Sequence, residues 1–114
     1  MQISEIKRIL GARVLCGEEH LGRDVHSACG SDLMSDVLAF VKEQSVLLTG
    51  LLNPQVVRTA EMMDMICIVF VRGKRPEQSI IDLACACGMV VLTTEHRLYT
   101  ACGKLYAGGL VGLE

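Results

Sequence analysis

The chain has 114 residues, 51% of them apolar, no Trp and few aromatics, with a formal net charge of -2 and a mean hydropathy of +0.41. One domain of this size can bury a core without a metal or disulfide staple. Near-neutral charge gives no electrostatic basis for binding nucleic acid or an anionic membrane, and every apolar run is far short of the ~20 residues of a membrane span.

In chain order, Ser4-Glu5-Ile6-Lys7-Arg8-Ile9-Leu10 predicts a short helix with Ser4 as cap. Ile6, Ile9 and Leu10 share a face, and Gly11 closes the helix. Residues 13–16 and 25–29 predict short strands that add a small β element, separated by a polar loop. Gly30-Ser31-Asp32 marks a turn, and the spacing of Leu33, Val37, Phe40 and Val41 predicts a helix over 32–42. Its other side carries Asp32, Ser35 and Asp36. Such a group is able to hold a cation or ligand hydroxyls, and equally to offset the helix macrodipole.

Three apolar runs follow, each leading into a helix-start signal. They are Val46-Leu47-Leu48-Thr49-Gly50 before Asn53-Pro54, Ile66 to Gly73 before Pro76-Glu77, and Met89-Val90-Val91-Leu92-Thr93 before Thr94-Glu95. An uninterrupted apolar strand is buried on both faces and belongs to a parallel sheet. Strand, turn and helix repeated in this way predict a single three-layer α/β domain, with a mostly parallel sheet flanked by helices.

The helix after Gly50 has Asn53 as cap and Pro54 as first residue, with Val56, Ala60 and Met63 facing inward. The next starts at Pro76, buries Ile80, Leu83, Ala84 and Cys87, and stops at Gly88. The last spans 95–106, with Leu98, Cys102 and Leu105 inward and Tyr99 and Tyr106 on a second stripe. Residues 107–114 are glycine-rich and predict a flexible tail.

Six cysteines raise the question of metal. Cys85 and Cys87, two apart on a helix, point about 200° apart and cannot share an ion. Cys67 lies in an apolar strand and packs as a small hydrophobe. Cys16, His20, His26 and Cys29 carry the ligand types for zinc or iron, and a metal-binding accessory protein using these four is the alternative function. Their C-x3-H and H-x2-C spacing matches no zinc module, so six free thiols and no bound metal or cofactor are expected. Met1-Gln2-Ile3-Ser4-Glu5 has no basic stretch leading into an apolar core, and a cytoplasmic protein is expected.

In open α/β sheets, ligands bind outside the carboxyl ends of the strands, where helix N-termini present unpaired N–H groups. That edge would gather Gly50, Asn53, Gly73, Thr93 and Thr94, joined by Ser31 and Asp32 if their turn opens the same way. These residues suit a nucleotide or other phosphorylated small ligand, and the same turn glycines and caps also serve the fold. Gly73-Lys74-Arg75 lacks the upstream glycine and following Ser or Thr of a P-loop. No G-x-S-x-G, H-E-x-x-H or G-x-G-x-x-G occurs, so no enzyme is expected. The aliphatic excess predicts a homodimer, with the Tyr99–Tyr106 helix and the tail as the leading interface.

The succession Val46-Leu47-Leu48-Thr49-Gly50, Ile68-Val69-Phe70-Val71-Arg72-Gly73 and Val90-Val91-Leu92-Thr93-Thr94, with Leu98-Tyr99-Thr100-Ala101, resembles the DRTGG domain. The stretch Gly30 to Asp36 resembles small stand-alone members of that family. Where the family's Asp-Arg pair falls this chain has Leu52-Asn53, and where its Thr-Gly-Gly falls it has Arg72-Gly73-Lys74. The resemblance implies a fold similar to the N-terminal domain of the HPr kinase/phosphorylase. It also implies a non-catalytic regulatory or assembly role, usually as a dimer, of the kind found in some phosphotransacetylases and between the CBS domains of regulated pyrophosphatases.

Overall fold

A computed structural model describes residues 1–39 and 44–112. The strands are β1 (Arg13–Cys16), β2 (Ser27–Gly30), β3 (Ser45–Thr49), β4 (Cys67–Phe70) and β5 (Val90–Thr93). They form one five-stranded sheet in the order β1-β5-β4-β3-β2. β2 to β5 run parallel, as Val46↔Cys67 and Cys67↔Val90 pairs record, and β1 joins β5 antiparallel through Arg13↔Thr93. The three apolar runs are therefore the parallel strands expected of them. The two earlier segments are short strands as expected, the second over 27–30 rather than 25–29, and both join the same sheet. Residues 27–30 extend the parallel sheet as its fourth strand, and residues 13–16 lie at the far margin. The successive crossovers carry the chain in one direction from β2 to β5. They leave the outer backbone groups of β5 unpaired, and β1 supplies the partner.

Alternation along the strands divides the core in two. Val46, Leu48, Cys67, Val69, Val90 and Leu92 face α1 (Ile3–Leu10) and α5 (Leu98–Ala107), meeting Ile3, Ile6, Leu10, Ala101 and Leu105. Leu47, Ile68, Phe70 and Val91 face α2 (Met34–Leu38), α3 (Pro54–Met62) and α4 (Gln78–Ala86), meeting Met34, Val37, Val56, Ala60, Ile80 and Ala84. Each fully buried aliphatic or aromatic side chain contributes roughly 1.5–3 kcal/mol. Both faces of the sheet are thus covered, and the domain has three layers.

The helix ends follow local chemistry. Gly11 ends α1 in the left-handed region (φ 57), where an L side chain would be strained. Asn53 caps α3 by accepting from the Gln55 N–H, with Pro54 in the first turn. α2 is shorter than predicted, because Asp32 is drawn into hydrogen bonds with the end of β3. Leu33 is still extended and 58% exposed, whereas Val37 is buried as expected; Phe40, Val41 and Lys42 lie outside the described residues. α5 starts at Leu98 rather than Glu95, since the His96 carbonyl is engaged by the Arg72 N–H. In the segment expected to form a tail, Ala107 ends α5 and Leu110 is 4% exposed within the core beneath that helix.

A buried hydrogen bond ties α1 to the end of β5. The buried Thr94 hydroxyl, just past β5, donates to the Leu10 carbonyl at the end of α1 (2.8 Å). Thr94→Val leaves that carbonyl without its partner and should cost about 1–3 kcal/mol in urea denaturation. The six cysteines are all unpaired, with Cys67 buried and Cys85 exposed; Cys87 and Cys102 are half-buried rather than fully inward. Burial raises the Cys67 thiol pKa, and burial followed by a hydrogen bond with Cys85 pushes Cys16 up to about 12. A disulfide reagent at pH 8 should therefore label Cys85 first and Cys67 only in denaturant, as read by mass spectrometry.

Candidate functional site

The four parallel strands end on one side of the sheet, and the residues after β3, β4 and β5 meet there. β3 ends at Thr49, and the chain continues through the buried Gly50. Asp32, from the turn after β2, brings its Oδ1 to the Gly50 N–H (2.6 Å) and to the Thr49 hydroxyl (3.1 Å). Ser31 shapes that turn, its Oγ accepting from the Leu33 N–H (3.0 Å). The carboxylate thus satisfies an N–H at the strand end, whereas the sequence pattern placed Asp32 on a helix face with Ser35 and Asp36.

The turn after β4 carries the charge. Arg72 and Gly73 both take positive φ (62° and 66°). The Arg72 N–H donates to the His96 carbonyl and the Gly73 N–H to the Thr94 carbonyl, each at 2.8 Å. Thr93 Oγ1 donates to the Lys74 carbonyl (2.7 Å), so the turn after β5 grips the turn after β4 along its length. Held this way, the Arg72 guanidinium lies over Gly50, where a Cβ would come within 2.6 Å of Nη2. Lys74 Nζ approaches the Gly50 carbonyl at 3.4 Å. A Cβ on Gly73 would meet the Glu95 carboxylate at 2.5 Å. Two cations and two carboxylates therefore surround two glycines at the carboxyl edge.

Of the seven predicted site residues, Ser31, Asp32, Gly50, Gly73 and Thr93 belong to this network, Thr93 through its hydrogen bond to the Lys74 carbonyl. Asn53 is spent as the cap of α3, and Thr94 turns inward to Leu10. Sequence reasoning missed Arg72, Lys74 and Glu95. The signal available was an apolar strand running directly into the basic turn Arg72-Gly73-Lys74-Arg75.

The proposed metal ligands are not brought together. Cys16 and Cys29 lie on β1 and β2, the two margins of the sheet, four strand spacings or about 19 Å apart. Among the described residues no group of three or more His, Cys, Asp and Glu forms a metal-ligating cluster. At the opposite, amino edge of the sheet a cavity of about 480 Å³ is lined by Arg23, Gln44, Glu61, Asp64, Met65 and Cys87, among others. Its arginine donates to the Gly88 carbonyl (3.2 Å), and its two carboxylates oppose an anion. The Glu61 carboxylate, hydrogen-bonded to the Cys87 thiol, raises that thiol's pKa.

Comparison with known proteins bears on this arrangement. No curated protein matches the chain. Among solved structures it is similar to the crystal structure of the CBS and DRTGG domains of the regulatory region of Clostridium perfringens pyrophosphatase, complexed with the activator diadenosine tetraphosphate. The TM-score is 0.72 at 19% identity, covering 91% of this chain and 45% of that chain. The likeness is one of fold, and the chain spans less than half the length of that neighbour. The model of the DRTGG domain family matches residues 5–107, nearly the whole of the α/β unit described above. The chain belongs to the DRTGG domain family.

Proposed function

We propose that this chain is a non-catalytic regulatory or assembly domain that binds a nucleotide or other phosphorylated small ligand at the carboxyl edge of its sheet. The observation that carries this reading is the convergence on the buried Gly50 of Asp32, Arg72 and Lys74, from two different strand ends. The neighbouring pyrophosphatase region, complexed with a dinucleotide activator, supports a regulatory role for the fold. A non-catalytic role agrees with the engagement of the hydroxyls at this edge. Thr49 donates to a carboxylate, and Thr93 and Thr94 donate to backbone carbonyls. No described helix is long and apolar enough to cross a membrane, and unpaired thiols suit a reducing, cytoplasmic compartment.

A ligand that binds only the folded state must raise its stability. A thermal-shift screen of nucleotides and phosphorylated metabolites should find stabilisers, and amide chemical-shift changes should then cluster at residues 31–32, 49–50 and 72–74. Shifts confined to residues 23, 44, 61–66 and 87–89 would move the site to the amino edge and defeat the reading.

The same proposal includes a homodimer formed through α5. Tyr99 is 91% and Tyr106 63% exposed on that helix, and they border an open groove of about 680 Å³ with Cys102, Gly103 and Ala107. Aromatic side chains are favoured where subunits meet. Sedimentation at micromolar concentration should give a dimer, and the Tyr99→Ala, Tyr106→Ala double variant a monomer. A wild-type monomer would remove this part of the proposal.

A further inference from the structure

We propose that Arg72 and Lys74 form a clamp that takes the phosphoryl group of the ligand through their side chains rather than through helix or strand N–H groups. The inference rests on the ligand edge proposed above and adds to it the chemical group recognised and the residues that recognise it. The Gly50 N–H is already occupied by Asp32 at 2.6 Å, so the backbone donor at this strand end is not open to an incoming oxyanion. The cations are differently placed. Arg72 stands in the left-handed region (φ 62), an unfavourable one for a side-chain-bearing residue. The backbone bonds to His96 and Thr94 hold it there.

Its guanidinium is spread over a glycine, with no side chain beneath it. Among the described residues the ion pairs join Met1 with Asp24, Arg8 with Glu5 and His20 with Glu19, and none includes Arg72 or Lys74. Arg8, matched to Glu5 one turn away, is the one described arginine or lysine in such a pair, and what sets Arg72 apart is its place over Gly50 with Lys74 at the same glycine. The exposed Arg72 guanidinium, on a backbone held by the bonds to His96 and Thr94 and without a carboxylate partner, retains its paired donors, whose fork geometry matches a phosphoryl group. Lys74, with its ammonium at the Gly50 carbonyl (3.4 Å), adds a second charge beside it. Asp32 and Glu95 border the pair, so the neighbourhood is balanced in charge until an anion arrives.

The test compares wild type, Arg72→Gly and Lys74→Gln by calorimetry and amide chemical shifts, using ATP, inorganic pyrophosphate and adenosine as probes. Glycine accepts a positive φ, so Arg72→Gly removes the guanidinium while leaving the turn at ease, and its unliganded melting temperature should hold. The expected result is binding of ATP and pyrophosphate but not adenosine. Affinity should weaken as salt rises, fall at least tenfold in Arg72→Gly, and fall several-fold in Lys74→Gln. If ATP shifts resonances at residues 31–32, 49–50 and 72–74 while both variants keep wild-type affinity, the clamp is refuted and the ligand edge survives. Equal binding of adenosine and ATP would refute phosphoryl recognition alone. If neither phosphate-bearing probe binds the wild type, the clamp and the ligand edge fall together.

Discussion

Residues 46–49, 67–70 and 90–93 turn no face to solvent, and the rest of the molecule is arranged around that fact. A strand with apolar side chains on both sides must be covered twice. The chain meets the requirement with three helices on one face and two on the other. Parallel pairing follows from the same arrangement, because a crossover helix both covers a face and returns the chain to the same starting edge. The turns that follow the strands are then delivered together, since every parallel strand ends on the same side.

What happens at that side depends on contacts between turns rather than on any one of them. The turn after β4 is shaped by three hydrogen bonds from or to residues 93–96, and it projects its arginine across the glycine after β3. Asp32 approaches the same glycine from the turn after β2. Gly50 is therefore the meeting point of three strand ends. Its lack of a side chain is demanded by close approach, since its own φ lies outside the left-handed region.

The sequence made the covered sheet legible because its signal is local. Runs such as Val46 to Leu48 and Cys67 to Val71 have no polar residue to give them an outer face. Asn53-Pro54 and Gly88 likewise announced helix ends through the chemistry of single residues. β2 was less legible as a member of the parallel sheet, since Ser27 and Gly30 interrupt it and its neighbour is chosen by topology. The site divided in the same way. Gly50 and Gly73 were readable as turn residues, but the orientation of Arg72 is set by residues more than twenty positions away in sequence. Thr93 and Thr94 are chemically alike and adjacent, yet one secures the basic turn and the other is fastened to α1. Strand alternation separates them, and only the layout of the layers decides which side meets which partner. Cys16 and Cys29 offered metal-ligand chemistry without a zinc-module spacing, and the strand order sets them at opposite margins.

The antiparallel margin also orders events as the chain is made. β1 emerges early, yet the strand that receives it is β5, with Arg13 opposite Thr93. The backbone edge of β1 therefore waits through the synthesis of β2, β3 and β4. Closing a loop of that length costs conformational entropy before any contact repays it, and such non-local pairing slows folding. Until the last parallel strand is available, the nascent domain carries an unpaired strand at its beginning, and a growing parallel sheet with an open edge at its end. Those are the conditions under which partly made α/β chains are prone to associate with one another.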